Sequence, residues 1–311
     1  SNHMTKSGRW LDVLSPAEIQ ELIQFRDWRS WASLSLDWGM VFGSFALVAF
    51  VPHVLTIVLA LFVIGGRQLG LAVLMHEASH RTLFRKRKLN DWAGNWLCAF
   101  PIWADMRPYR HYHLQHHART WTKLDPDLGL ATPFPVSRAS FARKVWRDLS
   151  GQTGWKRARA VVRRDLGQSA GKTFRGEDAG WHTLIPVVVT NGLLFGVLVL
   201  LGWPALYLLW VGAWFTSYSL SMRIRSIAEH SMVLDPADEL GNTRTTYANL
   251  WERIFIAPNR VNFHLEHHLN IAVPHYNLPR MHRLLHERGA LEHALITPGY
   301  RELLAQASAG T

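Results

Sequence analysis

The sequence predicts an all-α integral membrane protein, with about four transmembrane helices arranged as two hairpins under a cytosolic helical cap. Two observations predict the hairpins, because residues 38–66 and residues 181–222 contain no Asp, Glu, Lys or Arg and one transmembrane helix needs about 20 apolar residues. A third observation predicts the cap, because three clusters rich in histidine lie outside these apolar stretches. The whole chain, residues 1–311, is expected to form a single domain.

Composition narrows the class of protein further. Hydrophobic residues make up 48% of the 311 residues, charged residues make up 18%, and the net charge is +11. In a chain this apolar, a basic balance favours contact with anionic lipid headgroups over contact with nucleic acid. The single cysteine, Cys98, excludes an internal disulfide and a metal site built from cysteines. Residues 1–4 resemble a tag remnant followed by a start methionine, and they are set aside.

The first membrane hairpin is predicted over residues 38–75. A helix begins before it at Ser15 and Pro16, because Ser suits the cap and Pro suits the first helical position. The uncharged stretch is long enough for one crossing, or for two short crossings that turn near Pro52. We favour the turn, after which the second helix continues beyond the membrane and carries the first histidine cluster.

Residues 76–180 are predicted to lie in the cytosol and to contain the first two histidine clusters. Five basic residues follow the first cluster, between positions 81 and 88, and loops rich in Lys and Arg stay on the cytoplasmic side. A second basic segment, residues 138–164, contains nine Lys and Arg. This basic face is either solvated or a surface that contacts the membrane or a protein partner, and the sequence favours neither.

The second membrane hairpin is predicted over residues 181–222, with its turn at residues 202–204. Residues 192–196 and residues 39–43 each begin and end with glycine, a spacing that lets membrane helices pack closely, although chance glycines explain both pairs equally well. Two crossings return the chain to its starting side, so residues 223–311 rejoin the cytosolic part. All three histidine clusters therefore share one side of the membrane.

The three clusters have the spacing of metal-binding helices. Box 1, residues 76–80, reads H-x-x-x-H, whereas box 2, residues 113–117, and box 3, residues 264–268, read H-x-x-H-H. Positions i, i+3 and i+4 lie on one face of a helix, so we expect each H-x-x-H-H to direct three imidazoles to one point. Imidazole suits iron, copper and zinc, and eight such ligands are too many for one ion. We therefore predict a histidine-ligated site for two metals, with His230 as the ninth ligand by position.

Three other classes of protein also fit parts of this pattern. Box 1 matches H-E-x-x-H, the helix of zinc proteases with Glu77 as the base, but a protease would leave boxes 2 and 3 without a role. A carboxylate-rich di-iron bundle would repeat Glu-x-x-His on a second helix, and Glu77 with His80 supplies it once. A metal transporter would line its spans with polar residues, and the only histidines in these spans are His53 and His182.

The three boxes, their order and their placement around two pairs of apolar spans resemble the integral-membrane fatty acid desaturase superfamily and its hydroxylase relatives. The resemblance covers roughly residues 35–290 and implies two iron ions (Fe²⁺/Fe³⁺), with O₂ as co-substrate. Some desaturases place Asn four positions before the lone histidine, where this chain has Ser226. The metal ligands that the resemblance implies are His76, His80, His113, His116, His117, His230, His264, His267 and His268.

The resemblance also implies a reaction and its partners. It implies a membrane-bound non-heme di-iron oxidoreductase that uses O₂ to oxidise an unactivated C–H bond of a fatty acyl or lipid chain. Desaturation is favoured, and hydroxylation and oxidative decarboxylation are alternatives on the same site. The sequence contains no heme-binding H-P-G-G segment, so a separate electron donor of ferredoxin, rubredoxin or cytochrome b5 type, with its reductase, is implied. The active site is expected on the cytoplasmic side, at the inner membrane in a bacterium.

Polar residues near the boxes are candidates to orient the ligands, because a metal-bound imidazole needs a partner for its second nitrogen. These candidates are Glu77, Asp105, His111, Asp125, Asp127, Glu229, Asn262 and Glu266. The histidines of the tail are expected at the surface, and the first of them is the one to test for a role near the site. They are His275, His282, His286 and His293. Three tryptophans are candidates to line an apolar tunnel for the acyl chain: Trp96, Trp103 and Trp214.

Overall fold

The computed structural model describes residues 8–119, 133–167 and 180–311, and most of the regular structure in them is helical. The α-helices are α1 Gly8–Asp12, α2 Pro16–Leu22, α3 Asp27–Phe50, α4 Val54–Ser79, α5 Arg87–Ala93, α6 Met106–Arg119, α7 Arg138–Leu149, α8 Gln152–Asp165, α9 Trp181–Leu200, α10 Tyr207–Phe215, α11 Ser217–His230, α12 Leu250–Phe255, α13 His264–Leu269, α14 Leu278–Glu287 and α15 Tyr300–Ala307. Gly94–Ala99 forms a π-helical segment, and the 3₁₀ helices are Phe100–Ile102, Pro204–Leu206, Pro258–Arg260 and His275–Asn277. Two short strands, β1 Thr245–Thr246 and β2 Ile296–Thr297, pair in parallel.

The first apolar stretch folds as a helical hairpin. Only residues 51–53 separate α3 from α4, and the two helices pack against each other. Pro52 ends the first helix because it has no backbone N–H to donate. The side chain of His53 then caps α4 by accepting a hydrogen bond from the amide of Leu55. The predicted turn near Pro52 is therefore correct.

Within the described part of the chain, three helical segments are long and apolar enough to cross a membrane, namely Pro16–Phe50, which includes α3, and the helices α4 and α9. The sequence predicts about four such helices. The fourth apolar segment follows a turn at Gly202, whose φ of 84° favours glycine, but Thr216 divides this segment into α10 and α11. Neither of these two helices is an uninterrupted apolar helix of the required length, and the structure therefore differs from the prediction here.

Close packing around α4 depends on glycines that the G-x-x-x-G spacing does not single out. A Cβ atom on Gly66 would lie 2.5 Å from the carbonyl oxygen of Ile254, so only glycine lets α4 approach the end of α12 this closely. At residues 39–43 and 192–196, a Cβ atom on either glycine would meet nothing within 4 Å. These two pairs therefore form no packing faces within the described chain, and chance glycines explain them.

The N-terminal helices cover the part of the fold that follows box 3. Trp10 and Leu22 pack into one apolar cluster with Leu265, Met281 and Leu285. A second, larger cluster fills the space between the long apolar helices. The end of α4 belongs to the larger cluster and helix α13 to the other. Together with α6 and the end of α11, they carry the three boxes and His230.

Candidate metal centre

The structure brings the nine predicted histidines together in two groups, and within each group the closest ring nitrogens lie within 4.8 Å of one another. The five-histidine group consists of His76, His80, His113, His117 and His267. The four-histidine group consists of His116, His230, His264 and His268. The histidines of each group come from three different helices, so the tertiary fold assembles both groups.

Boxes 2 and 3 each divide between the two groups, which the sequence did not predict. In box 2, the imidazole of His116 joins one group, whereas that of His117 joins the other. In box 3, His267 and His268 separate in the same way. The expectation that one H-x-x-H-H serves one ion is therefore wrong. Residues i and i+4 stay together, but successive residues point about 100° apart around a helix, so positions i+3 and i+4 diverge.

Distances between ring nitrogens match a coordination sphere. In the five-histidine group, Nε2 of His117 lies 2.7 Å from Nε2 of His113 and 3.2 Å from Nε2 of His267. In the four-histidine group, two Nε2 pairs are separated by 2.8 and 3.2 Å. Imidazole nitrogens bind zinc at about 2.0–2.1 Å, so two ligands at right angles around such an ion lie about 3 Å apart. Each group therefore has the dimensions of a metal site.

Buried ring nitrogens without hydrogen-bond partners support the same conclusion. Within the described residues, the ring nitrogens in this state include Nε2 of His76, both nitrogens of His80, Nδ1 of His267 and Nε2 of His268. Leaving a buried polar atom unsatisfied costs about 1–3 kcal/mol, and binding a metal would satisfy those nitrogens that face an ion. Because imidazole ligands suit iron, copper and zinc, these residues fit a pair of such ions.

Burial holds the imidazoles in the form that binds metals. Burial lowers the pKa of His80 to about 4, although the nearby carboxylate of Glu77 opposes this change. Burial and the neighbouring histidines lower the pKa of His117 to about 2. The same causes place the pKa of each box 3 histidine well below its ordinary value. Metals bind neutral imidazole, so these ligands need not lose a proton at neutral pH.

Glu229, one of the predicted orienting residues, reaches one of the nine rings. Its Oε1 atom lies 3.5 Å from Nδ1 of His264 and accepts a hydrogen bond of 2.8 Å from Nε of Arg225. Arg225 lies one helical turn before Glu229 on α11, and both side chains are 15% exposed. Arg225 was not among the predicted orienting residues, although its i, i+4 spacing from Glu229 is a visible signal of this pair.

Glu266 is fully buried but binds a histidine outside the nine. Its two carboxylate oxygens lie 2.5 Å from Nδ1 of His282 and 2.5 Å from the hydroxyl of Thr245. His282 and His275 are therefore not surface residues as predicted, because both are buried in the fold. A basic, polar segment predicts exposure, but the N-terminal helices pack over this part of the tail. The other two histidines of the tail are exposed as predicted.

Glu77 faces the tail of the protein. Its carboxylate accepts hydrogen bonds from the hydroxyl of Thr82 at 2.9 Å and from the backbone amide of His275 at 3.1 Å. A zinc protease would need this carboxylate to act on a metal-bound water. These bonds occupy it, and the two box 1 histidines join three further histidines, so the geometry disfavours the protease.

Two of the remaining candidates, Asp105 and Asn262, bind partners outside the two groups. The carboxylate of Asp105 accepts hydrogen bonds from Arg107 and from Thr183. Asn262 donates to the carbonyl oxygen of Thr246. The remaining three are His111, which is half-buried on α6 and belongs to neither group, and Asp125 and Asp127, which lie outside the described residues.

An apolar cavity of about 240 Å³ lies between α9, α10 and the 3₁₀ helix that begins at Phe100. Trp103 and Trp214 line this cavity, as expected for an acyl-chain site, whereas Trp96 is not among its lining residues. The indole N–H of Trp214 donates to the carbonyl oxygen of Ile102, and that of Trp103 donates to Asp165. These bonds fix two walls of the cavity and leave its surface apolar.

Comparisons with known proteins agree with this geometry. The model of the fatty acid desaturase family matches residues 49–299. Dihydrorhizobitoxine desaturase from Bradyrhizobium elkanii is 28% identical over 79% of this chain and 70% of its own length. The sn-1 oleoyl-lipid 12-desaturase of Picosynechococcus sp. is 24% identical over 86% and 78%, and the sn-1 acyl-lipid omega-3 desaturase (ferredoxin) of Synechocystis sp. is 28% identical over 38% and 32%. The chain is therefore an oxidoreductase that belongs to the fatty acid desaturase family.

Proposed function

We propose that this protein desaturates a fatty acyl or lipid chain in an O₂-dependent reaction, with two iron ions held by the nine histidines. The observation that carries the proposal is the pair of histidine groups, whose nitrogen spacings suit two metal ions. The iron pair, when bound, would supply the oxidising power to remove hydrogen from an unactivated C–H bond. Desaturation then converts CH₂–CH₂, O₂, two electrons and two protons to CH=CH and two waters.

The arrangement of the boxes favours two ions that share one site. Because consecutive histidines enter different groups, the groups are neighbours, and the ring centres of His117 and His268 lie only 4.2 Å apart. Glu229 and Arg225 would hold the ring of His264 in the orientation that directs its other nitrogen to the metal. Burial of most of the set excludes water, which protects a strong oxidant from side reactions.

A separate electron donor is part of the proposal, and the basic face at residues 138–164 is its docking surface. Six of the nine basic side chains of this face are exposed, whereas Arg157 packs over the ring of Trp214 and Arg164 is buried beside Asp165. An acidic redox protein would be attracted to the exposed set. One relative carries ferredoxin in its name, which agrees with a donor of ferredoxin, rubredoxin or cytochrome b5 type.

The membrane and its lipids supply the substrate in this proposal. Three long apolar helices and relatives named for oleoyl-lipid and acyl-lipid substrates support it. The basic residues after box 1 favour an active site on the cytoplasmic side of the membrane. The apolar cavity beside Trp103 and Trp214 is a candidate for part of the acyl-chain path.

Metal analysis of the purified protein, combined with lipid profiling, tests this function. We expect about two irons per chain, and new double bonds in the lipids of cells that express the protein. New hydroxyl groups would indicate hydroxylation, and terminal alkenes would indicate oxidative decarboxylation, in place of desaturation. A single zinc would contradict the two-iron site.

Substitutions separate the desaturase from the protease. H267A should abolish lipid oxidation because it removes a ligand, whereas E77Q should reduce it less. A protease would instead be most sensitive at Glu77.

A further inference from the structure

A second cavity, of about 410 Å³, opens between the first turns of α3 and the segment that joins α12 to box 3. Four arginines and a histidine line it, and no acidic residue does. These basic residues are Arg29, Arg67, Arg253, Arg260 and His275. A cavity that gathers cations without carboxylates has the electrostatic character of an anion site.

Among the described residues, three of these arginines lack an acidic partner. Within the described residues, Arg29, Arg253 and Arg260 form no ion pair with a carboxylate. Burial, together with the charges of Arg253 and Arg29, lowers the pKa of Arg260 below its ordinary value. The three guanidinium groups line one cavity, where their like charges oppose one another, and a bound anion would relieve this repulsion.

The deeper cation, Arg67, is held differently. It is 2% exposed, and its NH1 atom donates to Asp37 at 3.0 Å. The other terminal nitrogen donates to two backbone carbonyls of α12. Its Nε atom is buried without a hydrogen-bond partner. Arg67 therefore fixes the inner wall of the cavity and retains one unused donor.

The backbone that presents Arg260 is strained. Asn259 and Arg260 have φ angles of 54° and 61°, in the left-handed region that residues with a Cβ rarely adopt. The side chain of Asn259 holds this conformation by donating to Asp37 at 2.8 Å and to the carbonyl oxygen of Gly70 at 3.0 Å. Such strain concentrates at functional positions, and here it directs an arginine towards the cavity.

The surroundings of the cavity are those of a membrane interface. Trp28, Leu36 and Leu250 line it and are each more than half exposed, and Trp251 beside them is 68% exposed. Exposed tryptophans next to arginines are typical of the headgroup level of a bilayer. The opening therefore combines cations with apolar surface that continues along α3, which belongs to a membrane-spanning segment.

The inner end of the cavity approaches the metal centre. His275 lines the cavity, and its Nε2 atom lies 2.8 Å from the hydroxyl of Ser33. Its Nδ1 atom lies 3.6 Å from Glu77, which stands between the two histidines of box 1. His275 thus contacts both the cavity and the carboxylate of the residue that follows His76.

We propose that this cavity binds the phosphate headgroup of a membrane lipid through Arg29, Arg253 and Arg260, and so holds the acyl substrate by its headgroup. The identification of this lipid as the substrate rests on the proposed function, whereas the binding of the headgroup does not. Guanidinium groups bind phosphate through paired charge-assisted hydrogen bonds, and the apolar rim suits the attached chains.

Binding to purified full-length protein in phosphate-free maltoside micelles tests the proposal. The probe is fluorescent phosphatidylglycerol, and diacylglycerol with the same label lacks the phosphate. We expect the double substitution R253Q/R260Q to raise the Kd for phosphatidylglycerol at least about tenfold, because it removes two guanidinium groups whose charged hydrogen bonds to the phosphate contribute to the affinity. Diacylglycerol binding should not change. R283Q alters an exposed arginine outside the cavity and should leave both affinities unchanged.

Two further measurements separate the possible outcomes. The metal content of each variant shows whether it folds. If the double variant does not fold, R29Q takes its place in the binding test, because it alters an exposed side chain. Equal phosphatidylglycerol affinities in wild type and folded variants would overturn the proposal. If inorganic phosphate or an acyl-thioester of coenzyme A displaced the fluorescent probe at a lower concentration than unlabelled phosphatidylglycerol, the bound phosphate would not be that of a membrane lipid. Arginine-dependent binding in a protein without lipid oxidation would support the headgroup site and reject the proposed function.

Discussion

Replacing Glu229 by Gln should weaken the binding of one of the two proposed metal ions and leave the binding of the other almost unchanged. Glu229 contacts the ring of His264, which belongs to the four-histidine group, and it contacts no ring of the five-histidine group. Removing such a partner of a metal ligand typically costs 10–100-fold in affinity. The distance of 3.5 Å from Oε1 to the ring nitrogen exceeds that of a strong hydrogen bond, so we expect about tenfold, or about 1.4 kcal/mol.

The assay is an anaerobic titration of metal-free protein with Fe²⁺ against a chromophoric chelator. Wild type should bind two ions, and E229Q should bind one of them about tenfold more weakly. The amide oxygen of E229Q can still accept from Arg225, so the fold should persist. Glu239, which is half-buried and accepts from Trp10, gives the matched control E239Q. Unchanged affinities in E229Q, or equal weakening of both ions, would refute the role assigned to Glu229.

Three other perturbations have defined outcomes. D148A leaves Arg223 without its bidentate partner and should lower the free energy of unfolding by about 3 kcal/mol, seen as a lower midpoint in denaturant; no change would contradict the pair. G66A forces a Cβ atom to within 2.5 Å of a backbone oxygen of α12 and should lower the melting temperature, whereas G39A, with nothing within 4 Å, should not. The pKa of His80 falls from 6.5 to about 4 on folding. As the pH falls, the unfolded state therefore takes up its proton first. In metal-free protein, the contribution of His80 to the free energy of unfolding should be fully present above pH 6.5 and be lost as the pH falls to about 4. A melting temperature that does not change with pH would contradict this.

The sequence predicts which histidines gather in the fold better than it predicts their arrangement. The boxes and His230 identify all nine histidines that the structure gathers, because short repeats of a rare, reactive residue stand out from any background. Their division into two groups depends on where neighbouring helices lie around α6 and α13. A tertiary arrangement of this kind leaves no trace in the spacing of a single box.

The distribution of charge along the sequence also gives wrong predictions for the exposure of residues in the tail and for the helices of the fourth apolar segment. His282 lies in a basic helix and reads as exposed, yet Glu266 and the N-terminal helices bury it. The fourth apolar segment reads as one span, yet Thr216 interrupts it. The burial of His282 arises from contacts with distant parts of the chain, whereas the turn at Pro52 was predictable because proline acts on its own backbone.

The divided boxes make both histidine groups depend on the same two helices. Helix α6 supplies His116 to one group and His117 to the other, and α13 does the same with His267 and His268. A small rotation of either helix would therefore displace ligands of both ions at once. Disturbing a helix should empty both sites, whereas removing an outer partner such as Glu229 should affect one.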